Sequence, residues 1–297
     1  MNREHGWTDY QERLGRVIAY IHDHLDGPLE LDRLAEVAHL SPYHWHRVYH
    51  ALHGETIAAT VRRLRLHRAT GYLANTPLAI ADVARKCGYP NVQSFARAFR
   101  SVYAMSPTQY RAQGSHAVFH AAQAQPEAAG YAVDIRDVPA VQLAGIAHRG
   151  SYMLVGKALA TAYMRLAAQG LARPEARWMA VYDDDPFAVP EKQLSSRAGL
   201  SLPPGAQAQP PLMPFTLGGG PCAVLRHRGP YSTMRAAYQW LYGSWLVQSG
   251  LEAADQPVFE EYLNNPRDTR PADLLTDIFL PLAGPAVLTG KHANTGR

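Results

Sequence analysis

The chain has 297 residues, 47% hydrophobic and 18% charged, which is ample for a core, too apolar for intrinsic disorder, and long enough for two domains. Two cysteines cannot build a disulfide framework, Met1 to Arg16 has no apolar leader, and no run nears the ~20 apolar residues of a membrane span, so a cytoplasmic protein without a membrane partner is expected. The net charge of +4 is unevenly spread: residues 1–40 hold 4 basic and 8 acidic side chains, 41–113 hold 10 and 2, and 114–297 hold 15 of each. A basic segment ahead of a neutral half suggests a nucleic-acid module joined to something else.

Leu14, Val17, Ile18, Ile21 and Leu25 recur at helical spacing, with Thr8 and Gln11 in capping-box positions, and Asp26-Gly27-Pro28 stops that helix. Leu31 to Ala38 forms a short second helix. Ser41 reads as the N-cap and Pro42 as the first position of a third. On it, Trp45, Val48, Tyr49 and Leu52 make an apolar stripe, and Tyr43, His46, Arg47 and His50 make the opposite one; Gly54 ends it. A short helix, a tight turn and a two-faced helix is a helix-turn-helix unit. His46 and His50, one turn apart, have metal-ligand spacing, but no cysteine or acidic partner stands nearby. No metal and no cofactor is expected, and a DNA-facing role explains the histidines better.

The unit repeats. Leu34-Ala35-Glu36-Val37-Ala38 returns as Ile80-Ala81-Asp82-Val83-Ala84, and Trp45, Arg47 and Tyr49 return as Phe95, Arg97 and Phe99, with Gln93, Arg97 and Arg100 as the second polar stripe. Between the copies, Ile57 to Leu73 reads as a rigid helix about 25 Å long carrying Arg62, Arg63, Arg65 and Arg68. Such a rod could hold two recognition helices near successive major grooves. Leu34-Ala35 through Ser41-Pro42, then Gly88-Tyr89, Phe95-Ala96-Arg97-Ala98-Phe99 and the closing Ser106-Pro107-Thr108-Gln109-Tyr110-Arg111 carry a resemblance to the DNA-binding domain of the AraC/XylS family of bacterial transcription regulators. The resemblance implies that one monomer reads a bipartite operator in double-stranded DNA and meets RNA polymerase. It implies Tyr43, His46, Arg47 and His50 on the DNA side of the first unit, and Gln93, Ser94, Arg97 and Arg100 on that of the second. Arg pairs bidentately with guanine and Gln with adenine, while Arg100 and the linker arginines suit phosphates.

Residues 114–130 read as a linker ending in Pro126-Glu127-Ala128-Ala129-Gly130. Beyond it a pattern occurs twice. Val141 to Ile146 alternates as a strand, His148-Arg149-Gly150-Ser151-Tyr152 opens a helix to about Gln169, and the motif returns as His227-Arg228-Gly229-Pro230-Tyr231 between Cys222–Arg226 and a helix to about Gln248. Ala180-Val181-Tyr182-Asp183-Asp184-Asp185-Pro186 matches Glu260-Glu261-Tyr262-Leu263-Asn264-Asn265-Pro266, and each copy closes on a strand at Leu202-Pro203 or Leu280-Pro281. The expected fold class is therefore multidomain: an all-α double helix-turn-helix domain, then an α+β domain of two pseudo-symmetric ββαββ repeats. The boundaries are 1–113, a linker at 114–130, 131–283, and a tail at 284–297.

The Glu-x-Tyr-x-x-x-Pro element formed by Glu260, Tyr262 and Pro266, with the paired motifs, resembles the GyrI-like small-molecule-binding domain. The resemblance implies a cleft where Glu260 meets a lipophilic, cationic compound. Glu260 and Tyr262 alternate onto one strand face, and Tyr152, Tyr231, Trp178, Trp240 and Trp245 are candidates for the wall. A carboxylate in such a box is costly to ionise unless a cation joins it, and aromatic faces attract the same cation. Ser, His and Asp share no catalytic motif, Gly218-Gly219-Gly220 leads into Pro221 and a strand rather than a phosphate-binding helix, and Asp183-Asp184-Asp185 reads as a solvated turn. No catalytic residue is expected. The alternative is a hydrolase of strained small molecules acting in the same cleft, as in some GyrI-like proteins.

Overall fold

The computed structural model describes residues 3–40, 45–112, 131–186 and 189–284, with side chains from residue 12 onward. Ser41, Pro42, Tyr43, the Pro126–Gly130 segment and the tail beyond Gly284 lie outside the described residues. The first half is helical: α1 (Arg3–Asp23), α2 (Leu31–Ala38), α3 (Trp45–His53), α4 (Ile57–Asn75), α5 (Ile80–Lys86), α6 (Val92–Tyr103) and α7 (Pro107–Ala112). Because α1 begins at Arg3, Thr8 and Gln11 stand inside it rather than capping it.

Each helix-turn-helix unit has its own core. Leu14, Val17, Ile21 and Leu25 of α1 meet Leu34, Trp45 and Tyr49, while Leu66 and Leu73 of α4 meet Val83, Phe95, Phe99 and Tyr110. Helix α4 belongs to both cores, since its Ile57 and Val61 close the first. Caps fix the helix starts. The Thr56 side chain accepts from Ala59 N, and Asn91 accepts from Ser94 N at 2.8 Å. The closing signature has a local cause: Ser106 N donates to Gln109 Oε1 (2.9 Å) and Gln109 N donates to Ser106 Oγ (3.2 Å), a reciprocal capping box with Pro107 at the first position. In the second turn Gly88 has φ 71°, and a Cβ there would lie 2.5 Å from the Leu25 carbonyl oxygen, so only glycine fits.

The second half is a curled, fully antiparallel sheet with helices on one face. Its strands are β1 (Val133–Val138), β2 (Val141–Arg149), β3 (Trp178–Tyr182), β4 (Ser195–Ser201), β5 (Met213–Leu217), β6 (Gly220–Arg228), β7 (Val258–Tyr262) and β8 (Leu275–Pro281). They run in the order β1-β6-β8-β7-β3-β4-β2-β5, so β1 and β5 each pair in the opposite half of the domain from their sequence neighbours. Helix α8 (Val155–Ala168) follows β2. Helix α9 (residues 234–249) follows β6 and contains a π-helical segment, Leu241–Leu246. The sheet face away from the helices closes over Leu143, Met179, Val181, Val224, Phe259 and Phe279, with the last two rings stacked at 4.7 Å.

The halves pack directly on each other. Helix α1 lies along α8, Lys157 pairs with Asp23, and Tyr110 Oη and Ser232 Oγ share a hydrogen bond of 2.6 Å.

Gly145 and Gly199 face each other across β2 and β4, and a Cβ on either would sit 2.3 Å from a carbonyl oxygen of the facing strand. Backbone atoms cannot move aside as a flexible side-chain end would. Gly199→Ala is expected to destabilise the second half by about 2 kcal/mol or more, read as a lower denaturant midpoint in its transition while the helical half keeps its own. An unchanged midpoint would show that the strands can separate freely there.

Candidate nucleic-acid interface and ligand cleft

On α3, Trp45 and Tyr49 are buried while His46, Arg47 and His50 are exposed; on α6, Phe95 and Phe99 are buried while Gln93, Arg97 and Arg100 are exposed. Both helices therefore present the polar stripe the spacing predicts. Ser94 is half-buried, and its hydroxyl donates to the Asn91 carbonyl (2.9 Å), so it holds the start of α6 as well as standing beside the exposed stripe. Tyr43 lies outside the described residues.

The linker arginines differ from the expectation of phosphate contacts. Arg63 grips Glu55 through two bonds (2.5 and 3.2 Å), Arg65 donates to the carbonyls of Leu25 and Gly27 (2.9 and 2.6 Å), and Arg68 donates to that of His22 (3.1 Å). Of the four, Arg62 alone is exposed. The other three satisfy backbone groups at the end of α1 and a carboxylate at the α3–α4 corner. A helix packed on several sides has little surface left for DNA.

In the second half Glu260 is buried, 4% exposed, and among the described residues the hydrogen bonds to its carboxylate come from tyrosines. Tyr238 Oη donates to Oε1 (2.6 Å), while Tyr182 and Tyr262 Oη donate to Oε2 (2.9 Å each); these two hydroxyls lie 2.6 Å apart. Burial raises the Glu260 pKa, and the three hydroxyl bonds oppose the shift without cancelling it. Burial and the adjacent carboxylate hold all three phenols well above the usual tyrosine range, so they remain donors. Glu261 points to the other sheet face and forms a two-bond pair with Arg177 (2.7 and 2.6 Å). The strand alternation is thus as expected, with Glu260 and Tyr262 on the cleft side.

A cleft of about 1630 Å³ opens above Glu260. Tyr152, Tyr231 and Trp178 line it, as do Tyr182 and Tyr238. Tyr152 and Tyr231 occupy matching positions, each opening a 3₁₀ turn just after a positive-φ glycine, Gly150 or Gly229. The rings of Tyr152 and Tyr182 meet edge to face at 4.6 Å, as do Tyr231 and Tyr262 at 5.5 Å.

Trp240 and Trp245 do not line the cleft. Trp240 belongs to the core behind α9, where it packs on Tyr131 at 5.4 Å, and the half-buried Trp245 packs against that core. Trp240 stands two positions from Tyr238, about 200° around the helix. Trp245, seven positions from Tyr238, would share its face on a regular α-helix, but the π-helical segment changes the phase. Tyr182 and Tyr238 were not singled out from the sequence. Tyr182 had a signal, because the repeat aligns it with Tyr262; Tyr238 had none beyond being an aromatic on the predicted helix. The Asp183–Asp185 turn also does more than face solvent: Asp184 accepts from Ser195 N (2.6 Å), Asp183 pairs with Arg197 (2.9 Å), and all three line the cleft rim. Among the described residues, no three His, Cys, Asp or Glu side chains converge as metal ligands, and no helix is long and apolar enough to cross a membrane.

Two helices with exposed polar stripes and an aromatic-lined cleft around a buried carboxylate define a two-part protein. Residues 131–283, more than half of the chain, match the GyrI-like small molecule binding domain, and residues 34–113 match a helix-turn-helix domain. Regulatory protein SoxS of Escherichia coli (strain K12) is 31% identical over 34% of this chain and 95% of its own length. Regulatory protein PocR of Salmonella typhimurium is 31% identical over 36% of each chain, so this chain spans about a third of that relative. The crystal structure of the EcmrR C-terminal domain superposes with TM-score 0.46 at 16% identity, over 52% of this chain and 98% of that one. The chain belongs to the AraC-type DNA-binding regulators and, through its second half, to the GyrI-like small-molecule-binding family.

The raised Glu260 pKa has a pH signature. The folded state holds this proton more tightly than the unfolded chain, so the group's contribution to stability is fully present at acid pH. That contribution falls as pH rises from the ordinary carboxylate range through the folded value, and is constant above it. Glu260→Gln is expected to flatten this decline and to equal or exceed the wild type in stability at neutral pH. Denaturant titrations of both proteins across the acid-to-neutral range measure it. A wild-type-to-variant difference that does not change with pH would overturn the assignment of a perturbed carboxylate.

Proposed function

We propose that this chain is a ligand-responsive transcription regulator whose second half senses a lipophilic cation and whose first half reads a bipartite operator as a monomer, with RNA polymerase as its further partner. The observation that carries the reading is the Glu260 cage. A buried carboxylate with a raised pKa and three phenolic donors gains most from a ligand that brings positive charge and apolar surface together. The exposed His46, Arg47 and His50 of one recognition helix, and Gln93, Ser94, Arg97 and Arg100 of the other, are the proposed DNA contacts, with Tyr43 completing the first set. Tyr262, Tyr152, Tyr231 and Trp178 are the proposed ligand walls, joined by Tyr182 and Tyr238.

The proposed boundaries are 1–113 for DNA binding, 114–130 as linker, 131–283 for the effector and 284–297 as tail. Within the effector half we read two ββαββ repeats. Exchanging each strand with its counterpart four places on leaves the strand order unchanged but reversed, and the register centres on Ala180 opposite Glu260. One repeat thus supplies the carboxylate and the other an alanine, which leaves a single charge at the junction.

Arg47→Ala and Arg97→Ala should each weaken specific DNA binding by about 1–3 kcal/mol and relax base preference in one half-site only. Arg100→Ala should weaken binding to all sequences alike and flatten its salt dependence. Arg65→Ala should instead lower stability, because Arg65 serves two carbonyls within the protein. Footprinting and salt titrations separate these outcomes, and unchanged preference in both halves for Arg47→Ala would remove α3 from the interface.

For the cleft, Glu260→Gln should lower affinity for a lipophilic cationic dye by more than about 1 kcal/mol and leave its neutral isostere nearly unaffected. Glu261→Gln should cost stability through Arg177 but not dye affinity. Equal losses for both dyes, or a larger affinity loss at Glu261, would overturn the cation reading. Chemical conversion of the dye by the full chain would instead favour the hydrolase.

A further inference from the structure

The cleft above Glu260 is not enclosed by the effector half alone. Ala59, Thr60, Arg63 and His67, all on α4 of the DNA-binding half, line it together with the tyrosines around Glu260. A continuous set of contacts leads from that helix to the carboxylate. His67 Nε2 donates to the Met153 carbonyl (2.9 Å), and its ring meets Tyr231 edge to face at 5.7 Å. Tyr231 in turn meets Tyr262 at 5.5 Å, and Tyr262 Oη donates to Glu260 (2.9 Å). Close packing leaves α4 little freedom to ignore these neighbours: a Cβ on Gly71 would lie 3.2 Å from Met153 Cγ.

A second connection runs through the chain just after the Glu260 motif. Arg267, in the β7–β8 loop, lies with its Nε 3.8 Å from Glu55 Oε1, and Glu55 also holds Arg63. Glu55 sits between α3 and α4, at the foot of the first recognition helix. Farther along the same loop, the Pro271–Asp273 turn approaches α6, the second recognition helix. One loop leaving the carboxylate strand thus reaches both helix-turn-helix units.

We infer that the ligand site is shared between the two halves, with α4 supplying one wall, so that a bound cation acts directly on the helix that spaces the two recognition helices. This rests on the reading of Glu260 as the cation site and adds a second set of ligand-facing residues to it. No relay through the linker is required. By linkage, whatever factor the ligand imposes on DNA affinity, DNA imposes on ligand affinity.

Ala59 offers a test because it lines the cleft from the DNA-binding side and its side chain makes no hydrogen bond. Tetraphenylphosphonium is titrated calorimetrically into the full-length wild type, Glu260→Gln and Ala59→Trp, each alone and with a saturating duplex that the wild type has enriched from random DNA. Ala59→Trp is expected to lower tetraphenylphosphonium affinity about tenfold or more by filling the shared wall. In the wild type, the duplex and the cation should shift each other's Kd by one common factor, about fivefold or more, and Ala59→Trp should abolish that shift. Thermal melting checks folding. Should the tryptophan prevent it, Ala59→Leu is expected to give a smaller loss in the same direction. If Ala59→Trp and Ala59→Leu bind like the wild type while Glu260→Gln loses affinity, the shared wall is overturned and the cation site stands. If Glu260→Gln also binds like the wild type, the cation site falls and the inference falls with it. A wild type whose cation and DNA affinities are independent would overturn the coupling.

Discussion

Helix α4 has to bury three faces at once, and the rest of the molecule is arranged around that constraint. Ile57 and Val61 complete one helix-turn-helix core, and Leu66, Ala69 and Leu73 complete the other. On the third face His67 and Gly71 pack against Met153 and Tyr231 of the effector half. A helix used on several sides has no wide polar face, so three of its four arginines find partners inside the protein. Arg65 and Arg68 do so on the free carbonyls at the end of α1, and Arg63 does so on Glu55. Arginine suits this work because its planar fork serves two acceptors while its stem packs as hydrocarbon.

The effector cleft rests on a balance of similar kind. Burial disfavours the charge on Glu260, and three phenolic hydroxyls favour it. None of the three can supply a compensating positive charge. The register that creates this site is held from the opposite face of the same strand, where Glu261 pairs with Arg177. A slip of one residue would exchange the two glutamates and undo both arrangements.

Contacts between the halves make the protein more than two modules on a tether. Tyr110 shows how local and long-range roles combine in one residue. It lies within a helix started by the Ser106–Gln109 capping box, it fills the second core, and its hydroxyl reaches Ser232 in the effector half. Asp23 with Lys157, and His67 with Met153, extend the same interface along α1 and α4.

What the sequence by itself determined were the features with a short period or a local cause. The two stripes of α3 and α6 follow from helical spacing, and the placement of Glu260 and Glu261 on opposite faces from strand alternation. The internal repeat even marked Tyr182 through its match to Tyr262. Tertiary structure alone decided what faces what. Trp240 and Trp245 had the right chemistry for a cleft wall, but the turn of α9 and its π-helical segment put Trp240 in the core and Trp245 against it, and left Tyr238 at the carboxylate. Residues on one helix share a charge and a period whether they meet DNA, a backbone carbonyl or another domain. Arg65 and Arg68 of α4 therefore read as phosphate contacts from the sequence, because the carbonyls at the end of α1 that they serve are tens of residues away along the chain.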